Sequence, residues 1–285
     1  MTNGRPLISI GLPVYNGARF LDETITSLLA QDFNDFELLI ADNASTDDTT
    51  LICAHHARQD SRVTVHRNPQ NKGAAWNYNR LVDLARGKYF KWAAYDDLLH
   101  ISFLSSCLTR MEQQPDAVLC HTWAIDIDEH GQPIHFYRPA PCADHPHSGR
   151  RIRDVLRHGP CGFETFGLIR HDLLRRTDRI GPYPGSNRVL LTQLAALGRF
   201  SLISQELFLH REHSARSEHV HRSLRDRSAW FSPQTAPATH PHLTVMARQL
   251  SSIARASLPA MHKGIGATGL PRAAFREIQT WRSLG

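Results

Sequence analysis

Phe36-Glu-Leu-Leu-Ile-Ala-Asp-Asn-Ala-Ser-Thr-Asp-Asp48 is the stretch that decides the fold. A short apolar run, Phe36–Ala41, stops at an acidic and amide-bearing tip, and Ser45-Thr-Asp-Asp48 then has the form of a capping box opening a helix through Ile52–Arg58. The unit is strand, polar tip, helix. It recurs on both sides. Leu7–Leu12 is an apolar run ended by Pro13, and Phe20, Leu21, Ile25, Leu28 and Leu29 follow at helical spacing. Arg62–His66 alternates like a strand, and Ala74, Ala75, Tyr78, Leu81, Val82 and Ala85 form the next helical stripe, with Gly87 as its expected C-cap. Tyr89–Ala94 reads as a strand, Ile101–Gln113 as a helix and Ala117–Trp123 as a strand. Such alternation implies right-handed crossovers and an α/β, Rossmann-like, mostly parallel sheet flanked by helices.

In a sheet of this kind ligands bind beyond the carboxyl ends of the strands. The residues there are Pro13-Val-Tyr15-Asn16, Asp42-Asn43, Arg67-Asn68 with Asn71-Lys72-Gly73, and Tyr95-Asp96-Asp97. Four strand ends thus deliver amides, carboxylates and a lysine to one rim. Asp96 and Asp97 are the most informative pair. Adjacent carboxylates repel, and oxygen ligands suit Mg²⁺ or Mn²⁺, which in turn holds a diphosphate. The plainer reading makes Asp97 the N-cap of the Ile101 helix. Asp42 could accept the imide N–H of a uracil or close an Asx-turn. A G-x-x-x-x-G-K-[ST] loop is absent, as is G-x-G-x-x-G after the first strand, which excludes the usual P-loop and NAD-binding signatures.

The chain has 285 residues, 41% of them hydrophobic and 21% charged, which excludes a disordered, collagenous or coiled-coil protein. No apolar run reaches the roughly 20 residues that span a bilayer. Met1–Pro6 lacks the apolar core of a signal peptide, so a cytoplasmic location is expected. The net charge of +6 is concentrated late: residues 211–285 hold 11 Lys and Arg against 4 Asp and Glu. No helix-turn-helix or zinc-finger pattern accompanies that charge, so nucleic acid is not the expected partner. Five cysteines (53, 107, 120, 142 and 161) without C-x-x-C spacing read as reduced thiols. The pairs His145/His147, His219/His221 and His240/His242 read as surface histidines.

Leu7-Ile-Ser-Ile-Gly-Leu-Pro-Val-Tyr-Asn-Gly17 resembles the opening strand of family 2 glycosyltransferases, which have the GT-A fold. Phe36–Asp48 resembles their second strand and acidic turn, Asn71-Lys-Gly-Ala-Ala-Trp-Asn77 their third loop, and Tyr95-Asp96-Asp97 their D-x-D-type metal motif in x-D-D form. The resemblance is strong over residues 6–125 and continues more weakly to about 217. It implies three regions: a nucleotide-sugar-binding half at 1–125, an acceptor-side half of the same catalytic domain at 126–217, and a linker with a helical C-terminal extension at 218–285.

The resemblance also implies roles. Pro13, Tyr15 and Asn16 would line the nucleoside pocket and Asp42 would hold the base. Asn71 and Lys72 would approach the base and diphosphate, Asp96 the ribose or sugar, and Asp97 the metal. Phe208-Leu-His-Arg-Glu-His213 resembles the region that supplies a further histidine ligand, with His213 the candidate and His210 the alternative. The implied activity is a metal-dependent, inverting hexosyl transfer from a UDP-sugar to a small-molecule, carrier-protein-bound or glycan acceptor, and a homodimer is compatible with it.

Where related enzymes offer an aspartate as catalytic base, this chain has Asn187, and an amide takes no proton at neutral pH. Glu164 and Asp178 are the substitute bases, unless the acceptor is an easily activated amine or thiol, or Asn187 merely caps a helix. Two rival functions follow: a catalytically impaired nucleotide-sugar-binding protein, and a sugar nucleotidyltransferase, whose glycine- and lysine-rich first loop is not present at Pro13–Asn16. Trp230–His242 reads as a linker, Leu243–Leu258 as an amphipathic helix and Pro271–Leu284 as a last helix.

Overall fold

The structure, a computed structural model, describes residues 4–158, 163–216, 220, 223–234, 241–255, 266 and 268. Strands β1 (Ile8–Val14) and β2 (Phe36–Asp42) are buried at every position, as interior parallel strands must be. Two polar groups inside that run are satisfied locally. Ser9 donates to Glu37 Oε1 at 2.6 Å, and the Arg86 guanidinium reaches Glu37 Oε2 at 2.7 Å. Strands β3 (Val63–Arg67) and β4 (Tyr89–Trp92) flank them in the order β3-β2-β1-β4, all parallel.

Helices α1 (Ala18–Leu29), α2 (Thr49–Gln59) and α3 (Ala74–Leu84) are the crossovers. Phe20, Leu21, Ile25 and Leu28 bury the apolar stripe of α1, each side chain worth about 1.5–3 kcal/mol relative to exposure. β5 (Leu98–Leu99) and α4 (Phe103–Gln113) follow. The α1 and α4 residues share one core with one face of the sheet, and α3 shares the other.

The second half is woven in out of order. β6 (Ala117–Ile127) pairs with β7 (Pro133–Tyr137), with the short β8 (Leu168–Arg170) and, in parallel, with β9 (Arg199–Arg211). β8 is antiparallel to both β4 and β6, so three residues join the two halves of one nine-stranded sheet. Between these strands lie α5 (Ser148–His158), a 3-10 turn at Phe163–Phe166, α6 (His171–Leu174) and α7 (Ser186–Leu197). α8 (Leu224–Phe231) packs on α3, and α9 (Pro241–Arg255) packs on α7.

Several local expectations are corrected. Ser45 does not cap α2; the helix starts at Thr49, and Ser45 Oγ accepts the Asn16 amide instead. Gly87 is not the C-cap of α3, which ends at Leu84. It lies where a Cβ would come within 2.6 Å of Ser9 N, so the chain needs glycine for close approach to β1. Asp97 is not a cap either, because α4 begins after Ser102. Nor does Asn187 cap α7: Gly185, at φ 81°, takes that position. Trp230 lies in the last turn of α8 rather than opening a linker. The thiols of Cys53, Cys107 and Cys120 are buried and outside any disulfide. Cys161, the pair His219/His221, His240 and the Pro271–Leu284 segment lie outside the described residues.

Candidate active site

The tips after β1 and β2 are laced together by their own short polar side chains. Asn16 stands at φ 51°, a left-handed conformation that asparagine tolerates. Its Oδ1 accepts the Thr46 amide at 2.8 Å, while the Asn16, Gly17 and Ala18 amides donate to Ser45 Oγ, Thr49 Oγ1 and Asp47 Oδ2. Asp42 is fully buried at the centre of this lacing. It accepts Ser45 N at 2.9 Å and Thr50 Oγ1 at 2.8 Å, and Arg67 Nη1 lies 3.4 Å from its second oxygen. The bond to Ser45 spans three residues, not the two of an Asx-turn, and the carboxylate props the loop from beneath. Pro13 is buried within β1, whereas Tyr15 is exposed on the rim.

The third loop hangs on an amide network. Asn43 donates to Asn71 Oδ1 and accepts from Asn68 Nδ2 and from the Lys72 amide. Gly73, at φ 86°, lies where a Cβ would meet Phe231 O at 2.6 Å, so the end of α8 closes over this loop. Lys72 Nζ lies 4.5 Å from the Trp76 ring centroid.

Asp96 and Asp97 meet the end of β9. His213 Nε2 is 3.1 Å from Asp96 Oδ2, and the Arg211 amide donates to Asp97 Oδ1 at 3.0 Å. Burial, followed by the negative charge of Asp96, holds the Asp97 carboxyl well above the ordinary carboxylate range. Burial and then Asp96 also push the Tyr95 hydroxyl up to about 12. His213 is buried, with Nδ1 making no hydrogen bond and its ring 4.6 Å from Phe20. His210 points elsewhere, to Asp126.

The 3-10 turn, which packs on β4, β6 and α7, carries Glu164, which is buried. The turn is tied to β4 by Lys91, whose ammonium donates to Phe166 O, and burial lowers that amine to about 7. The turn packs on α7, where Asn187 is half-buried in the first helical turn. Asp178 belongs to a different neighbourhood, accepting Gln193 Nε2 at 2.7 Å and Arg255 Nη2 at 3.2 Å.

Two groups escaped the sequence reading. Arg211 is buried, donates from Nε to Asp96 O and reaches Glu23 Oε2 at 2.7 Å from Nη2, so it holds the acidic loop from behind. Lys91 is the other. In both, a cation inside an apolar strand was the available signal.

Comparison with solved structures defines the class first. The fold is that of S. aureus TarS in complex with UDP-GlcNAc, with a TM-score of 0.70 over 93% of this chain and 72% of that one at 19% identity. A mannosyltransferase from Pyrobaculum calidifontis, PcManGT, solved with GDP-Man and Mn²⁺, matches at a TM-score of 0.55 and 16% identity over 99% of this chain and 84% of that one. This is the GT-A architecture. Residues 9–177 match the family described as Glycosyl transferase family 2, and the chain belongs to that family. Chondroitin synthase of Escherichia coli is 33% identical over 194 residues, covering 65% of this chain and 28% of that protein. The matches span less than half the length of the first curated relatives.

Proposed function

We propose that this chain transfers a sugar from a UDP-sugar to an acceptor nucleophile with inversion, and that Asp96, Asp97 and His213 hold a divalent cation for the donor diphosphate. The observation that carries the reading is the 3.1 Å contact between Asp96 and His213, residues 117 apart in sequence, beside the desolvated Asp97. Two carboxylates facing a diphosphate suit Mn²⁺ or Mg²⁺, and the imidazole favours Mn²⁺ of the two. The raised Asp97 is what a like-charge pair in a dry pocket produces, and a dication would relieve it. When bound, the cation neutralises the charge that grows on the departing diphosphate.

The chain's own residues do the rest. Tyr15 offers an exposed ring to the nucleoside, with Pro13 and Asn16 shaping its edge. Asp42 fixes the Asn43–Ser45 turn against which the base lies. Asn71 positions Lys72, whose ammonium stabilises the leaving diphosphate. Asp96 also faces the ribose and sugar. Arg211 keeps the Asp96–Asp97 loop in place.

Glu164 is the better placed base for a hydroxyl acceptor. Its turn is tied to β4 by Lys91 and packs on the helix of Asn187, while Asp178 is committed to Gln193 and Arg255. Asn187 orients the acceptor. Reaction needs alignment of the nucleophile opposite the diphosphate more than a covalent partner. The acceptor is a small molecule, a glycan or a carrier-bound group.

One observation favours a second reading: Asn187, where a carboxylate would be the usual base, fits a nucleotide-sugar-binding protein without turnover. A screen of UDP-, GDP- and dTDP-sugars with Mn²⁺, read by nucleotide release and by calorimetry, separates the two. Donor turnover with a UDP-sugar is expected. Binding without hydrolysis or transfer, with every acceptor offered, overturns the enzyme reading.

A further inference from the structure

Strand β9 sends successive side chains to opposite sides, and only one side has a part in the donor site. Arg211 faces the Asp96–Asp97 loop. Its neighbour His210 faces β6, where it is in register with Asp126. His210 Nδ1 is 2.9 Å from Asp126 Oδ1 and 3.7 Å from Glu212 Oε1. All three ligand atoms lie within 4.8 Å of one another. Among the described residues no other set of three His, Cys, Asp or Glu side chains meets that condition, Asp96, Asp97 and His213 included.

The spacing is informative. Ligands at about 2.1 Å from a tetrahedral zinc ion are about 3.4 Å apart. The two Nδ1–oxygen separations, 2.9 and 3.7 Å, bracket that value. The imidazole is fixed rather than loose: 9% of its side chain is exposed, and the Phe163 ring lies 4.7 Å away. One nitrogen faces two carboxylates, and a single N–H can satisfy one of them. A fourth donor is near, because His135 on β7 places Nδ1 3.5 Å from Asp126 Oδ2. One competitor is Arg216, whose Nη1 contacts Glu212 Oε1.

We propose that Asp126, His210 and Glu212 form a second metal site, of the zinc class, on the face of β9 opposite Arg211. Nitrogen with carboxylate oxygen at near-tetrahedral spacing favours Zn²⁺ over Mg²⁺, which demands octahedral oxygen and retained water. Arg216 then gives up its contact with Glu212 Oε1. The ion pins the ends of β6 and β9, and through His135 the β7 hairpin, beside the turn that carries Glu164. The proposal does not rest on the donor reading, since it uses none of the residues assigned there.

The test is zinc binding to the full chain after chelator treatment, by calorimetry and metal analysis, in an Asp97→Asn background that weakens the donor-side cation site. One Zn²⁺ equivalent is expected to remain, with a zinc-dependent rise in melting temperature. His210→Gln and Glu212→Gln should each weaken it about 100-fold. Because His210 is buried and its variant could lose the fold, Glu212→Gln at the half-exposed carboxylate decides the matter in that event. Zinc affinity unchanged in Glu212→Gln assigns the ion to other histidines, such as His145 and His147, and overturns the proposal. So does the lack of any zinc equivalent in the Asp97→Asn chain.

Discussion

The half built on β1 to β4 and the half built on β6, β8 and β9 solve the same problem differently. In the first, polar groups at the strand tips satisfy one another: Asn16 with Thr46, Asp42 with Ser45 and Thr50, Asn43 with Asn68 and Asn71. In the second some do, as His210 with Asp126, but several buried polar atoms have no such partner. Of the eight buried side-chain atoms without a hydrogen bond among the described residues, only Arg80 Nε belongs to the first half. His121 Nε2, Thr165 Oγ1, Ser186 Oγ and His213 Nδ1 all belong to the second. Buried polar atoms are normally paired. The first half thus has a rim whose polar groups are already satisfied, whereas the second keeps buried polar atoms unpaired among the described residues.

The sharpest way to break this comparison is to remove the groups that join the halves. Asp97→Asn and His213→Ala should each lower kcat/KM about 1,000-fold or more if, as proposed, both hold the cation that offsets charge on the leaving diphosphate. Nucleotide release against Mn²⁺ concentration reads the effect. Activity within tenfold of the parent in both variants would show that the two halves do not share a cation.

Glu164→Gln comes next. A general base contributes about 100- to 10,000-fold, and the loss should fall on kcat while donor affinity by calorimetry stays unchanged. Asn187→Asp is the complementary variant: it restores a carboxylate at the helix start and should raise the rate with hydroxyl acceptors. If both leave kcat unchanged, the acceptor brings a nucleophile that needs no base.

The two halves also differ in how far they are legible in sequence. The first could be read because each strand, tip and helix is contiguous, so Phe36–Asp48 carries its own evidence. Boundaries moved by at most about three residues, the start of α2 the furthest. The errors there came from short polar side chains with several donors in reach: Ser45 could cap its own helix, but it serves the Asn16 amide across the rim. The second half is set by pairings between distant segments. β8 is three residues long, and nothing local says that it joins β4 to β6. His213 was singled out through a motif, whereas Arg211, which contacts the same Asp96–Asp97 loop, was missed. The choice between His210 and His213 needed the end of β9 at Arg211: His210 is still paired with β6 and meets Asp126, whereas His213 lies past the strand and meets Asp96.

A pH titration sharpens the contrast from the stability side. His121, on β6, is 4% exposed, and burial lowers its pKa to about 4 from 6.5. The unfolded chain takes up this proton and the folded one does not, so the stability it contributes is complete above pH 6.5 and is lost as the pH falls toward 4. At 1.36 kcal/mol per unit the total is about 3 kcal/mol. Denaturant melts of the parent should weaken over that window, and His121→Leu should flatten the slope. An equal slope in both proteins would place the acid sensitivity elsewhere.

The smallest effect is the most discriminating. Asp178 pairs with Gln193 and Arg255, and its side chain is 50% exposed. An ion pair so open to water is worth less than about 1 kcal/mol. Asp178→Asn keeps one acceptor for Gln193, so melting should shift by a degree or two and kcat should stay within about twofold of the parent. A fall in kcat comparable to that of Glu164→Gln would move the base out of the Phe163–Phe166 turn and make the α7–α9 seam part of the acceptor site.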